Sequence, residues 1–158
     1  RMKVIEHIVL TNEQKTAIID LWNEEYPEQI KYTDPADFDD YLSKQSSKRH
    51  YLLIDENNDL LGWAFQFVRD GILWFAIIVS RKIKGRGYGT LLLNELKKNN
   101  TELNGWVADH NHYKKQNGAV YESPLSFYVK NGFSIRRDIR LETEKLSVIK
   151  IEWRKETI

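Results

Sequence analysis

The stretch Trp74-Phe-Ala-Ile-Ile-Val79-Ser-Arg-Lys-Ile-Lys84-Gly85-Arg-Gly87-Tyr-Gly89-Thr-Leu-Leu-Leu-Asn-Glu-Leu-Lys-Lys98 decides how the rest of the chain is read. An apolar run of strand length leads into a short basic loop with glycines at 85, 87 and 89, and an amphipathic helix follows. The start of a helix carries unpaired N–H donors and a partial positive charge, so such a loop can hold an anion. The glycines leave the backbone bare and permit dihedrals that other residues avoid. Arg81, Lys82, Lys84 and Arg86 add positive charge at the same mouth. A pyrophosphate is the ligand this chemistry suits, with an ordinary glycine turn as the plain alternative.

Two familiar phosphate motifs are excluded. No Gly-x-x-x-x-Gly-Lys-Ser/Thr occurs, so this is not an NTPase P-loop. Gly85-Arg-Gly87-Tyr-Gly89 lacks the third glycine at the spacing a dinucleotide fold requires. The segment reads better as Val-x-Pro-x-x-Arg/Gln-Gly-x-Gly-x-Gly, here Val79-Ser-Arg-Lys-Ile-Lys84-Gly85-Arg-Gly87-Tyr-Gly89. In that form it resembles the coenzyme A loop of the GNAT superfamily of acyl-CoA-dependent N-acyltransferases. Arg81 replaces the usual proline and Lys84 the usual Arg or Gln; neither change removes a backbone donor. A second segment, Ser126-Phe-Tyr128-Val-Lys-Asn-Gly132-Phe133, is similar to the superfamily's later motif, in which a tyrosine precedes Gly-Phe by four residues. Ser123 can cap a short helix there, Pro124 suits its first turn and Gly132 its left-handed stop.

The resemblance implies an α/β (α+β) fold: a mixed, mostly antiparallel sheet with helices on both faces and splayed central strands binding acyl-CoA. Residues 1–158 would form one such domain. The chain's own patterning runs the same way. Lys3–Leu10 has strand character, and Thr11-x-x-Gln14 opens a helix through Trp22 as a capping box. Asp34-Pro35 opens a second helix after a polar aromatic loop. Strands follow at Tyr51–Ile54, Leu60–Val68 and Ile72–Val79, the last two joined through Arg69-Asp70-Gly71 as a hairpin. A helix from about Tyr88 to Lys98 should bury Leu91, Leu92 and Leu96. Leu103–Asp109 is a strand, and Ser134–Leu141 and Lys145–Trp153 form a closing hairpin.

Bulk properties narrow the class. At 158 residues, one substantial core is expected. Lys+Arg of 24 against Asp+Glu of 23 provides no overall field for nucleic acid or membrane. With no cysteine, the chain has no disulfide framework, thiolate nucleophile or cysteine-based metal site, and no metal is expected. No apolar run approaches the roughly 20 residues that span a bilayer. Met2 reads as a natural initiator with Arg1 an addition ahead of it. A soluble cytoplasmic protein is expected, with a homodimer left open.

By the resemblance, the backbone of Ile77, Ile78 and Val79 would pair with the pantetheine arm of acetyl-CoA, the co-substrate. Lys84, Gly85, Arg86, Gly87, Tyr88, Gly89 and Thr90 would hold the pyrophosphate, and the N–H of Val79 would face the oxyanion. Tyr128 would be the general acid that protonates the departing thiolate; a core tyrosine is the plain alternative. The base is open. The family often draws a carboxylate from the position this chain fills with Trp106, so His110 or Asp109, just beyond, become the first candidates. Glu24 or Glu25, acting through water, are others. Where the family has a cofactor-facing Asn, this chain has Tyr121. Asn111 lies much further upstream, so 112–123 reads as an insertion at the cleft mouth. Glu24, Glu25 and Tyr26 are candidate acceptor contacts, whose acidic and aromatic character suits a cationic amine.

The function expected is transfer of an acetyl group from acetyl-CoA to a primary amine of a small molecule or peptide, by direct attack. The alternative is a non-catalytic acyl-CoA-binding or sensor domain. A nucleic-acid module using Arg81–Arg86 is opposed by the near-zero net charge.

Overall fold

In the computed structural model, which describes residues 1–156, the Thr11 capping box closes in both directions. Gln14 N–H donates to Thr11 Oγ1 at 3.1 Å, and Thr11 N–H donates to Gln14 Oε1 at 2.8 Å. Helix α1 (Asn12–Glu25) starts there. It follows strand β1 (Lys3–His7) and runs three residues past Trp22. The loop after it contains a 3-10 turn at Glu28–Ile30. Helix α2 (Pro35–Ser43) then begins on Asp34, whose carboxylate accepts the Ala36 N–H at 2.9 Å.

Strand β2 (Ser46–Ile54) is longer than the apolar run that marks it, because its first residues are polar and half exposed. Strands β3 (Leu60–Arg69) and β4 (Ile72–Val79) pair in the expected hairpin. Asp70 and Gly71 take the positive φ values, 54° and 74°, that a tight two-residue connection needs. A 3-10 turn at Arg81–Ile83 leads through the glycine loop into helix α3 (Tyr88–Lys98). Its buried leucines are Leu92, Leu93 and Leu96, whereas Leu91 is 40% exposed, so the apolar stripe is rotated by one residue from that expected. Burying each of the three stabilises the fold by roughly 2 kcal/mol. Strand β5 (Glu102–Val107), helix α4 (Leu125–Lys130) and strands β6 (Ser134–Glu142) and β7 (Ser147–Arg154) complete the chain.

The seven strands form one sheet in the order β1-β2-β3-β4-β5-β7-β6. Every neighbouring pair is antiparallel except β4 and β5. Helices cover both faces, as expected. On one, α1 and α2 pack over Trp63, Phe65, Phe67 and Trp74. On the other, α3 and α4 pack over Phe75, Leu103, Ile149 and Ile151. A buried His50 stacks on Phe65 with ring centroids 4.6 Å apart, and burial pushes its imidazole down to about 4. It is therefore neutral and accepts the Trp63 Nε1–H at 3.1 Å.

Candidate active site

Strands β4 and β5 touch at a single bridge, Trp74 with Asn104, and diverge beyond it. Two features of β5 mark the last point of contact. Asn104 donates its Nδ2–H to the carbonyl of Leu73 at 3.0 Å, so the side chain takes an acceptor that faces β5. Gly105 lies flat beneath the ring of Phe75, where any Cβ would stand only 2.8 Å from a ring carbon. The ring can lie there only because residue 105 has no side chain.

The β3–β4 ladder fixes which backbone groups face the gap. Ser80 N–H donates to Leu61 C=O at 2.8 Å, which sets the alternation along the pair. Ile78 therefore spends its N–H and C=O on Trp63, while those of Ile77 and Val79 point into the gap and have no strand partner. Of the three residues expected to pair with the pantetheine arm, Ile77 and Val79 present their backbones. Ile78 does not, and its side chain is buried in the core beside α1.

The gap opens into a cleft of about 520 Å³ that reaches the glycine loop and is lined there by Lys84, Gly85, Gly87, Tyr88, Gly89 and Thr90. Arg86 is exposed and lies outside the lining. Gly85 and Gly87 adopt φ of 78° and 88°, and Gly87 is the residue on which α3 starts. The first bond of the helix at this end is Leu91 N–H to Gly87 C=O. The amides of Tyr88, Gly89 and Thr90 are thus left without helical acceptors at the cleft mouth. Gly89 serves packing: its added Cβ would lie 3.3 Å from the Phe127 ring of α4.

Tyr128 is buried on α4, lines the cleft, and packs its ring on Phe75 at 5.6 Å. Burial, reinforced by the neighbouring Tyr121 phenol, pushes its hydroxyl well above the ordinary tyrosine value. Burial likewise raises Tyr121, to about 12, and Tyr26. All three are neutral O–H groups at physiological pH.

The acidic candidates fall elsewhere. Both oxygens of Asp109 accept from Arg140, at 2.8 and 3.1 Å, and those hydrogen bonds hold its carboxyl below the usual range. His110 has Nε2 3.3 Å from Ser147 C=O, and its Nδ1 accepts the His112 N–H at 3.1 Å. Neither residue lines the cleft, because β5 ends at Val107 and the chain turns towards β6 and β7. Glu24 is exposed and also outside the lining. Glu25 is buried: its Oε2 accepts the Arg81 N–H and its Oε1 the Lys115 ammonium, each at 2.9 Å. It joins the insertion to the loop entry and is not an open acceptor contact. Two carboxylates line the cleft, the paired and buried Glu25 and, at the exposed rim, Glu122.

Trp106, at the position where the family often has a carboxylate, stacks on Trp74 with centroids 5.4 Å apart. The insertion folds back on itself through the Lys114–Val120 bridge, and Asn111 accepts the Ser123 N–H at 2.8 Å to close its base. Through it Tyr121 reaches the cleft and meets Tyr26 edge-on. A second chamber of about 550 Å³ lies beyond. The two chambers share Tyr26, Phe75, Ala76, Trp106, Val107 and Tyr121. The second chamber was not visible in the sequence; Tyr121 in place of the cofactor-facing Asn, with the insertion at the cleft mouth, pointed to that side of the cleft. Among the described residues, no group of three or more His, Cys, Asp or Glu is placed to hold a metal.

This site is the kind found in acyl-CoA-dependent acyltransferases, and sequence comparison agrees. The profile of the acetyltransferase (GNAT) family matches residues 15–130. The chain belongs to that family, and the enzyme class is acyltransferase. No curated protein sequence matches it. Among solved structures, an aminoglycoside 6'-N-acetyltransferase complexed with coenzyme A is 17% identical, with a TM-score of 0.71 over 96% of each chain. The ribosomal-protein-S18-alanine N-acetyltransferase from Escherichia coli is 16% identical, with a TM-score of 0.65 over 100% of this chain and 96% of its own. Escherichia coli ElaA is 20% identical, with a TM-score of 0.66 over 97% and 99%. At these identities the likeness concerns the fold. Among the described residues no helix is long and apolar enough to cross a membrane.

Proposed function

We propose that the protein transfers an acetyl group from acetyl-CoA to a primary amine by direct attack. The observation that carries this is the unpaired edge of β4 beyond Trp74, which runs straight into the open amides of Tyr88–Thr90. A pantetheine arm can complete that edge as a strand would, with the pyrophosphate on the loop. The acyl group then lies where the two chambers meet, beside Phe75 and Ala76. The amine nitrogen bonds to the thioester carbon, the carbonyl becomes an oxyanion, and the C–S bond breaks as it collapses. Ile77 offers the gap-facing N–H next to this junction. Val79, expected from the resemblance to meet the oxyanion, lies about 7 Å further towards the loop. A pre-aimed donor of this kind is worth ~3–4 kcal/mol of barrier. Tyr128, neutral and packed edge-on against Phe75, protonates the departing sulfur. The amine's proton leaves towards the rim beside Glu122, since Asp109 and His110 are held elsewhere.

Calorimetry with acetyl-CoA and a thiol-release assay over a panel of amines test the reading. Tyr128→Phe should keep acetyl-CoA affinity and lower kcat by ~10²-fold or more. Tyr128 must be protonated to act, and its value is raised in the fold, so its acid form persists through pH 10. Wild-type kcat should therefore show no alkaline loss from this group below pH 10. Failure to bind acetyl-CoA, or full turnover in Tyr128→Phe, refutes the assignment.

A further inference from the structure

The second chamber is walled by aromatic side chains, and its charge runs against the cationic acceptor that the acidic early loop suggests. Glu24 takes no part in it, and Glu25 lies on the cofactor side with Lys115 as its partner. The charged residues that line it are Lys31, Arg69 and Lys145, against the single carboxylate of Asp37. Arg69 is the distinctive one. It follows Phe67 and Val68 at the end of β3, and its guanidinium lies 5.4 Å from the Phe67 ring centroid and 5.5 Å from that of Trp74. Two ring contacts hold it in place, yet among the described residues no carboxylate forms a salt bridge with it. A guanidinium fixed at a pocket wall with its donors open is suited to a carboxylate, which it can bind through two parallel hydrogen bonds.

We infer that the acceptor is a primary amine on a flat apolar body that carries a carboxylate at its far end, bound by Arg69. The inference rests on the acetyl-transfer reading above and specifies its substrate class. The body lies between the Trp74–Trp106 stack and three tyrosines, Tyr26 and Tyr32 from the segment joining α1 to α2 and Tyr41 on α2. The amine reaches the junction at Ala76. Trp74 and Ala76 are alternate residues on one face of β4, so their spacing along the strand is about 7 Å. The Arg69 guanidinium lies over the Trp74 ring, so the anchor stands at least one such spacing from the junction at Ala76. An α-amino acid, whose carboxylate is one carbon from its amine, is too short to span it, and an arylmethylamine with a para carboxylate is the length that this separation favours.

The test compares 4-(aminomethyl)benzoate with 4-(aminomethyl)benzamide, benzylamine, phenylalanine and 1,4-diaminobutane as acceptors, by thiol release from acetyl-CoA. The carboxylate compound should lead the benzamide in kcat/KM by about 10-fold or more, as a charge-assisted pair implies. Arg69→Gln should erase that lead through KM for the amine, leaving KM for acetyl-CoA unchanged. Arg69→Lys, which keeps the charge but not the fork, should restore part of it. Preference for 1,4-diaminobutane or phenylalanine, or a lead that survives in Arg69→Gln, overturns the inference and leaves acetyl transfer standing. Binding of 4-methylbenzoate, followed by tryptophan fluorescence, separates the two claims. Saturable binding that weakens in Arg69→Gln supports the anion site even in a protein that fails to bind acetyl-CoA. Absence of such binding refutes it whatever the turnover.

Discussion

Glycines 85, 87 and 89 look alike in the sequence, but the fold uses them for two different purposes. Gly85 and Gly87 are needed for their positive φ, and an added Cβ on either would touch nothing within 4 Å. Gly89 is helical and is needed for the 3.3 Å approach of the Phe127 ring. Their replacements should therefore fail differently. Gly87→Ala strains only the backbone, by about 1–2 kcal/mol, and turns the loop amides away from the pyrophosphate. Calorimetry should show weaker acetyl-CoA binding, with kcat at saturation little changed. Gly89→Ala pushes on Phe127, which precedes Tyr128 on α4, so kcat should fall while affinity changes less. Equal effects on both parameters in the two variants would contradict this division. The loop's place at a helix start was legible because closely spaced glycines between an apolar run and an amphipathic one suit that turn. The division of labour was not, since it depends on where α4 docks.

At the scale of elements, the loop's position depends on a buried pair. Glu25 ends α1, Lys115 belongs to the insertion, and the carboxylate between them also accepts the amide of Arg81 at the loop entry. The two side chains are 4% and 9% exposed, so neither charge is well hydrated alone. Removing the lysine leaves a buried carboxylate without a counter-charge, at a cost of about 3–5 kcal/mol. Lys115→Met should lower the melting temperature and raise KM for both acetyl-CoA and the amine, as loop and insertion lose their common tie. The double change Glu25→Gln with Lys115→Met should recover most of the stability, because a neutral amide can still accept the Arg81 N–H. A double variant no more stable than Lys115→Met would show that the pair's charge was not the issue. Sequence reasoning read Glu25 as an open acidic contact and missed its pairing, since its partner is 90 positions away. Asp109 and His110 misled for a related reason. They lie where the strand was expected to end at Asp109, two residues beyond its actual end at Val107, and their partners Arg140 and Ser147 come from the closing hairpin.

Across the whole molecule, the sheet is weakest at its centre. Strands β1 to β4 form one continuous antiparallel ladder and β5, β7 and β6 another, and the two are joined in the sheet by the Trp74–Asn104 bridge alone. The order of elements was readable from caps, turns and apolar periodicity. The break was expected from the family resemblance alone, because the residues of β5 themselves, Asn104-Gly105 included, read as an ordinary weak strand. A sheet opened in this way lacks backbone hydrogen bonds where an added strand would supply them, so acetyl-CoA should act as a structural element as well as a reactant. At one hundred times its dissociation constant, a ligand specific for the folded state adds about 2.7 kcal/mol, which for a chain of this size corresponds to a rise in Tm of roughly 5–10 °C. Beyond that global gain, hydrogen exchange should slow locally at the amides of Ile77, Val79 and Tyr88–Thr90, which have no strand or helical acceptor without the ligand. Ile78, already bonded to β3, should respond only to the global change. Protection that rises uniformly along β4, with Ile77 and Val79 no different from Ile78, would mean that the cofactor binds without completing the sheet.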